Sequence, residues 1–519
     1  MKHLFKRVNT WANHHELTFF LLFLVLLLRI PTLFEPFWYG DENIYLAIGA
    51  GIRKGLILYQ GITDFPNKPP AIYLLAALAR GVFGFRFLLL LSTLLGTAFF
   101  YGLAHKITAR TKPSIIATLI FIFLTSTPVI EGTIANAEIF FITPVICAAY
   151  LLLVAFEEKT KPKHQSRAIA GAGLLLGTAF LFKIHVILDI TALGLYFFVL
   201  TRLKKLTPKH IRNLFTFKPL YAFIIGLTTP IILVLAIWAM LGVSPFTLLT
   251  NATGSTGYVA AFGSKDFFLE TLGFGSLFSR TVLLAGITLI LFIVRNKLRP
   301  PFLLLTLWLS FGLFATLLSA RPYPHYLIQL VPPLVIGLVL AFHTKHLTSR
   351  LAFTFATLLL VVAFFRFQFR LWSVLPYYRN FIAYTSGAIG REEFYRRFDG
   401  RMPRNYVLAR YLRTITAPAE RIFIWGTEPD IYVLADRLPA IPLTTSFHID
   451  DLNYYDQVIT ALTTAKTNTV VVMESEWRSF PELTSLLAAN YTLINSVGDP
   501  GQSPQQNQGH HALVYRRLQ

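Results

Sequence analysis

The chain has 519 residues, 54% of them hydrophobic and 14% charged, and a formal net charge of +21. Soluble domains carry about 25% charged residues, so the composition excludes a wholly soluble protein. Nucleic acid is excluded as a partner by where the charge sits: the lysines and arginines cluster in short loops between apolar runs, as in proteins oriented by their cytoplasmic loops.

Apolar runs of about 18 or more residues, each long enough to cross the hydrocarbon layer, recur from Glu16 to Phe367. Spans are expected at 17–35, 86–104, 114–131, 138–156, 168–183, 184–201, 219–241, 280–295, 301–319, 326–343 and 350–367. The first lacks a small-residue cleavage site and reads as an anchor. Cys147, inside an apolar run, has no cysteine partner in the chain and reads as an inert buried thiol. The expected fold is a polytopic α-helical membrane protein of about eleven spans plus an interfacial helix, with a small extracytoplasmic α/β domain at the C-terminus. The transmembrane module covers 1–367 and the α/β domain 368–519.

Lys2, Lys6 and Arg7 place the N-terminus in the cytoplasm, and this span count keeps the later basic clusters there, from Lys106–Lys112 to Lys345 and Arg350. The apolar segment 69–84 would invert that pattern if it crossed. It is therefore expected to be an interfacial or re-entrant helix on the outer face, with Arg80 near the headgroups. The outer loops are then 36–85, 132–137, 242–279 and 320–325, and they hold the polar residues that carry chemistry.

Asp41 and Glu42 follow the first span. Adjacent carboxylates repel, so the pKa of one rises unless a cation stands near. Alternatively, Asp41 is the N-cap of ENIYLAIGAGIRKG with Glu42 in its first turn, where the helix dipole favours anions. Lys68 lies in DFPNKPPAIY, where two prolines stiffen the backbone after it. A rigid lysine there suits capture of a lipid phosphate; the alternative is ordinary snorkelling. Asp64, four residues earlier, could orient it. Glu138 opens the fourth span, with Glu131 just before it. Lys183 sits in the hairpin between the fifth and sixth spans, above His185 and Asp189, whose spacing places them on one helix face as a buried pair or a functional one. Arg321, Tyr323, His325 and Tyr326 lie where the ninth span meets the tenth. Arg321 could grip a phosphate bidentately, His325 could bind a metal or donate a hydrogen bond, and the tyrosines could be interfacial anchors.

Carboxylates and cations on one membrane face match a reaction at a phosphate-linked donor. A carboxylate can take a proton from an acceptor hydroxyl or amine, and cations can stabilise a departing phosphate. That combination fits glycosyl transfer from a lipid-phosphate donor. The alternative class is a transporter or flippase of a lipid-linked glycan, whose usual internal repeats are not evident.

Beyond Phe367 the segments RIFIWG (421–426), TVVVME (469–474), YTLINSV (491–497) and ALVYRR (512–517) read as strands. Helices are expected over PDIYVLAD, with Pro429 in its first turn, and near 480–489. Alternating strands and helices predict the α/β class. Gly426-Thr427-Glu428 lacks the further glycines of a dinucleotide fingerprint, and His510 and His511 read as a solvated pair in a polar loop.

The segments WYGDENIYL, LYQGITDFPNKPPAIYLL, ANAEIFF and RPYPHYLIQLVPPL resemble the GT-C glycosyltransferase superfamily. They are most similar to bacterial relatives of protein O-mannosyltransferases and lipid A aminoarabinose transferases, the glycosyltransferase family 39 type. The resemblance implies an integral plasma-membrane enzyme that moves a sugar from a polyprenyl-phosphate carrier to a glycan, lipid or protein acceptor at the outer face, among membrane lipids. It implies Asp41 as catalytic base or acceptor-orienting group, Glu138 as the second acidic position and Lys68 as a contact to the donor phosphate. Glu42 is its expected helper, and Lys183 and Arg321 are expected as further phosphate cations. In the aminoarabinose transferases an acid before the KPP lysine helps hold a metal. Asn67 stands at that position here, so no cofactor is expected with certainty and a divalent metal stays open.

Overall fold

A computed structural model describes residues 2–63, 68–157, 160–200, 218–244, 277–319 and 321–518. By its internal contacts the chain divides into two units, Met1–Ile30 with Leu89–Trp238 and Thr256–Val374, and Pro31–Leu88 with Ala239–Ser255 and Leu375–Gln519.

The first unit is helical. Its leading members are α1 (Lys2–Arg29), most of α4 (Val82–Thr108), α5 (Thr111–Ser126), α6 (Ala137–Ala155), α7 (Pro162–Phe180) and α8 (Ile187–Gly194), followed by Lys218–Met240, Leu277–Val294, Pro300–Thr316, Val331–His343 and Leu347–Arg366. Among the described residues seven helical segments are long and apolar enough to cross a membrane, and three shorter apolar helices cover Thr111–Ser126, Ile184–Phe198 and Pro300–Thr316. Helices apolar on all sides are stable only when surrounded by protein or lipid. Phe19, Ile225, Ile293 and Phe365 are exposed on this unit, as residues facing hydrocarbon would be. Where α7 meets Lys218–Met240, a side chain at Gly173, Gly177 or Gly226 would run into the partner backbone, the close approach that small residues permit between membrane helices. The third expected span ends early: α5 stops at Ser126, a 3₁₀ turn covers Pro128–Ile130, and Glu131 takes a left-handed conformation.

In the second unit α2 (Gly40–Arg53) packs against α3 (Ala71–Ala79). Gly49 sets their separation, since a Cβ there would lie 2.6 Å from the Ala77 nitrogen and 2.7 Å from the Ala76 carbonyl carbon. The apolar segment 69–84 is broken. The helix α3 has nine residues and rises about 14 Å, less than half of a hydrocarbon layer of about 30 Å; it ends at Arg80, and α4 starts at Val82.

The C-terminal part of this unit carries a four-stranded sheet of β1 (Ile422–Trp425), β2 (Thr469–Met473), β3 (Tyr491–Val497) and β4 (Ala512–Arg517) in the order β1-β2-β4-β3. Alternate residues of β1 face opposite ways. Ile422 and Ile424 join Leu408, Leu412 and Val471 in one core, while Phe423 and Trp425 join Val458, Leu462 and Phe480 in the other. All four expected strands form, in a mixed sheet. The strand β1 runs parallel to β2, whereas β4 runs antiparallel to both β2 and β3; the link from β3 to β4 holds the short helix Pro504–Asn507. Pro429 caps the helix Asp430–Ala435 from outside instead of standing in its first turn. The same helix packs on α2: Lys54 Nζ lies 2.7 Å from Asp436 Oδ1, and the Thr63 amide donates to the Pro442 carbonyl at 3.0 Å.

Candidate functional site

The polar side chains singled out from the sequence gather within each unit among the described residues. In the second unit α2 begins at Gly40 with Tyr39 at the cap position and no side-chain capping bond, so Asp41 is not the N-cap that its position suggested. It stands in the first turn, its side chain 40% exposed, with Lys68 Nζ 3.6 Å from Oδ2. Tyr45, one turn along, donates its hydroxyl to the same oxygen at 3.2 Å, and its buried ring lies 4.8 Å beneath the Lys68 ammonium, a cation–π arrangement. Two tyrosines fix the backbone of Lys68. Its carbonyl accepts from the Tyr59 hydroxyl at 2.5 Å, and its amide donates to the Tyr73 oxygen at 3.3 Å. The result is a reachable carboxylate and ammonium on an aromatic floor. Asp64 lies outside the described residues.

Glu42 has a different environment. Arg86 donates Nε to one of its oxygens and Nη2 to the other, and Arg86 Nη1 reaches Glu35 at 2.9 Å and the Thr32 carbonyl at 3.1 Å. Glu35 accepts from Trp38 Nε1 at 2.6 Å and from the Tyr377 hydroxyl at 2.5 Å. Glu35, Glu42 and Arg86 are all buried. The repulsion expected between adjacent carboxylates is thus relieved by giving each its own cation.

In the first unit Glu138, in the opening turn of α6, is ion-paired with Lys183. The Lys183 ammonium lies 4.0 Å over the ring of Tyr326. His325 Nδ1 is 2.5 Å from Glu131 Oε2, and the other Glu131 oxygen accepts from Trp372 Nε1 at 3.2 Å. Tyr323 stacks on His325 at 5.6 Å, and Tyr326 meets His325 edge-on at 4.7 Å. Arg321 begins this segment and is partly buried. Glu138, Lys183, His325 and Tyr326 are therefore brought together, with Glu131 joining them through His325. The pairing of His185 with Asp189 does not form. Asp189 instead accepts from Trp308 at 2.7 Å and Gln329 at 2.5 Å, while His185 faces Tyr326, because a turn at Ile184–Val186 separates it from α8.

Several participants were not singled out from the sequence. Arg86 and Arg29 are charges within or beside apolar runs, where an ionisable residue is a signal in itself. Arg29 is buried and donates to the carbonyls of Thr125 and Gly132, each at 2.5 Å. Glu35, the last residue of the first expected span, gives the same signal, whereas Tyr45, Tyr59, Tyr73 and Trp372 carry none. Among the described residues no three His, Cys, Asp or Glu side chains come together to hold a metal ion; Asn67 lies outside them. In the C-terminal domain Asp430 accepts from Asn405 at 2.9 Å, and burial, aided by the charge of Glu428, pushes its pKa up to about 7.

No protein-family model matches the chain, and no curated protein sequence does. Among solved structures it is similar to ArnT, an aminoarabinose transferase from Cupriavidus metallidurans. The form bound to undecaprenyl phosphate matches with a TM-score of 0.56 at 14% identity, over 97% of this chain and 98% of that one. The apo form matches with a TM-score of 0.53 at 14% identity, over 98% of each chain. At this identity the likeness is one of fold, and it runs nearly from end to end. The chain shares the fold of ArnT.

Proposed function

We propose that the chain is a glycosyltransferase that moves a sugar from a polyprenyl-phosphate carrier to an acceptor at the outer face of the membrane. The observation that carries this reading is the Asp41–Lys68 pair, an accessible carboxylate 3.6 Å from an ammonium whose backbone is fixed. The related fold was solved with undecaprenyl phosphate in ArnT, a carrier of the chemistry that Lys68 suits. In this mechanism Asp41 takes the proton of the acceptor hydroxyl or amine as that atom bonds to the anomeric carbon. The bond from the anomeric carbon to the phosphate oxygen breaks, and its electron pair leaves with the phosphate. Lys68 meets the developing charge. Within the first unit, Lys183, held by Glu138, and Arg321 are the further candidate phosphate-binding cations. Glu42, engaged by Arg86, holds α2 in place. His325, Tyr323 and Tyr326 shape the surroundings of Lys183. No step is routed through a metal, since the described donor groups do not assemble around one.

The proposed topology has eleven crossings, a cytoplasmic N-terminus and an extracytoplasmic domain over 368–519; a reporter fused after Phe367 should score as extracytoplasmic. The activity is tested with the purified chain in lipid nanodiscs supplied with a polyprenyl-phosphate sugar. Transfer should be lost in Asp41→Asn, and retention of transfer in that variant would remove the mechanism. Loss of lipid movement with transfer intact would favour a flippase. Mass spectrometry of cellular glycans, with and without the protein, would identify sugar and acceptor.

A further inference from the structure

The second unit contains a cavity of about 460 Å³ whose lining includes Arg53, Arg80, Arg413 and Arg437, with Asp436 as its one carboxylate. Its size falls within the range of roughly 300–1,000 Å³ common to small-ligand sites. It is not the Asp41 site: Arg53 ends α2, twelve residues and about 18 Å along the helix from Asp41.

The charge in this cavity is not balanced by the protein. Asp436 is already engaged by Lys54 at 2.7 Å. Arg437 is fixed in the wall, its guanidinium donating to Thr416 Oγ1 and to the carbonyls of Ala435 and Thr416. Arg53 donates to the Ala77 carbonyl at 3.1 Å, and both burial and the nearby charge of Arg80 pull its pKa below the usual arginine range. The guanidiniums of Arg80 and Arg413 take no hydrogen-bond or ion-pair partner among the described residues.

Backbone geometry singles out the same place. Arg80 has φ +59° and Asp436 φ +54°, and each ends a helix with a side chain where glycine or asparagine is usual. Left-handed positions occupied by other residues collect at ligand clamps, where the strain is held for a function. Both of these positions border the one cavity.

We propose that this cavity binds a phosphate-bearing ligand, with Arg80 and Arg413 as its two available forks and Arg53 and Arg437 as fixed positive walls. The planar guanidinium fork matches phosphate oxygens bidentately, and a surplus of several positive charges matches a phosphomonoester or diphosphate better than a single carboxylate. The ligand is either the headgroup of an anionic lipid or a soluble phosphate compound.

The test uses the full chain in two arms, comparing wild type with Arg413→Gln and with Arg80→Gln/Arg413→Gln. In the first, inorganic pyrophosphate is titrated in detergent and binding is followed by the rise in melting temperature. In the second, nanodiscs of mixed phosphatidylglycerol and phosphatidylcholine are used, and native mass spectrometry reads the lipid retained. Wild type should bind in at least one arm, and the double variant should bind about tenfold or more weakly there, a difference of about 1.4 kcal/mol. Retention of phosphatidylglycerol without a pyrophosphate effect identifies a lipid headgroup; the reverse identifies a soluble phosphate. Equal binding by wild type and double variant, or binding in neither arm, overturns the proposal. Arg413 is exposed on a helix surface, so the single variant keeps the test informative if Arg80→Gln impairs folding. Sugar transfer is not the readout, so the outcome is independent of the role given to Asp41.

Discussion

Arg86 grips Glu42 through two parallel hydrogen bonds, Nε to Oε1 at 2.9 Å and Nη2 to Oε2 at 2.5 Å, with both side chains fully buried. The same guanidinium reaches Glu35, so one cation serves two buried carboxylates while Trp38 and Tyr377 supply neutral donors. Removing one partner of a buried pair leaves the other charged and desolvated, which costs about 3–5 kcal/mol. Arg86→Met should therefore lower the melting temperature of the full chain in detergent by roughly 3–5 °C. Arg86→Lys should recover only part of that, because an ammonium cannot reproduce the fork. A melting curve like that of wild type for Arg86→Met would show that the cluster does not hold α2.

Asp41 and Lys68 should behave in the opposite way. Their partly exposed pair contributes about 1 kcal/mol or less to stability, so Asp41→Asn and Lys68→Gln should melt close to wild type. Loss of a general base costs about 10²–10⁴-fold in rate, and Asp41→Asn should fall in that range in the nanodisc assay. Equal losses of stability and rate would instead indicate a structural role for Asp41.

Gly49 carries no chemistry yet should affect it. A larger residue there meets the backbone of Ala76 and Ala77 within van der Waals distance, and backbone cannot move aside as a flexible side chain can. Gly49→Val should destabilise the chain by about 1–3 kcal/mol and lower transfer by displacing α2, which bears Asp41, from the segment that follows Lys68. Normal stability and normal transfer together would show that α2 and α3 can separate without consequence.

Asp430 predicts a pH dependence. Its folded-state pKa of about 7 lies above the ordinary carboxylate value of 3.8, so the folded chain holds a proton that the unfolded chain has released. Stability from this group is present below about pH 4, declines as pH rises through the interval to about 7, and is lost above it. Asp430→Asn should flatten this part of a plot of melting temperature against pH. A curve that keeps its slope would assign the dependence to other groups.

Much of this was legible in the sequence because it is local. Lengths of apolar runs mark the long helices, and the prolines at 69 and 70 mark the short helix that follows Lys68. Four β-branched and aromatic runs mark the four strands. Partnerships across the chain were not legible. Arg86 stands at the first position of an expected span, and nothing local pointed to Glu42 44 residues away. Asp189 and His185 have the spacing of a helical pair, but a turn intervenes and Trp308 and Gln329 capture the aspartate instead. The direction of β4 was not legible either, because strand propensity does not encode pairing direction.

The contact between Lys54 and Asp436 joins residues separated by 382 positions. Ribosomes add about 5–20 residues per second, so the first loop waits roughly 20–75 s, at those rates, before the residue that anchors the end of α2 has been made. During that interval the side of α2 that later packs against Asp430–Ala435 has no final partner. In the proposed topology this earliest loop stays open to proteases of the outer face until the last domain is finished, so mutations in the C-terminal sheet should register first as loss of protein from the membrane.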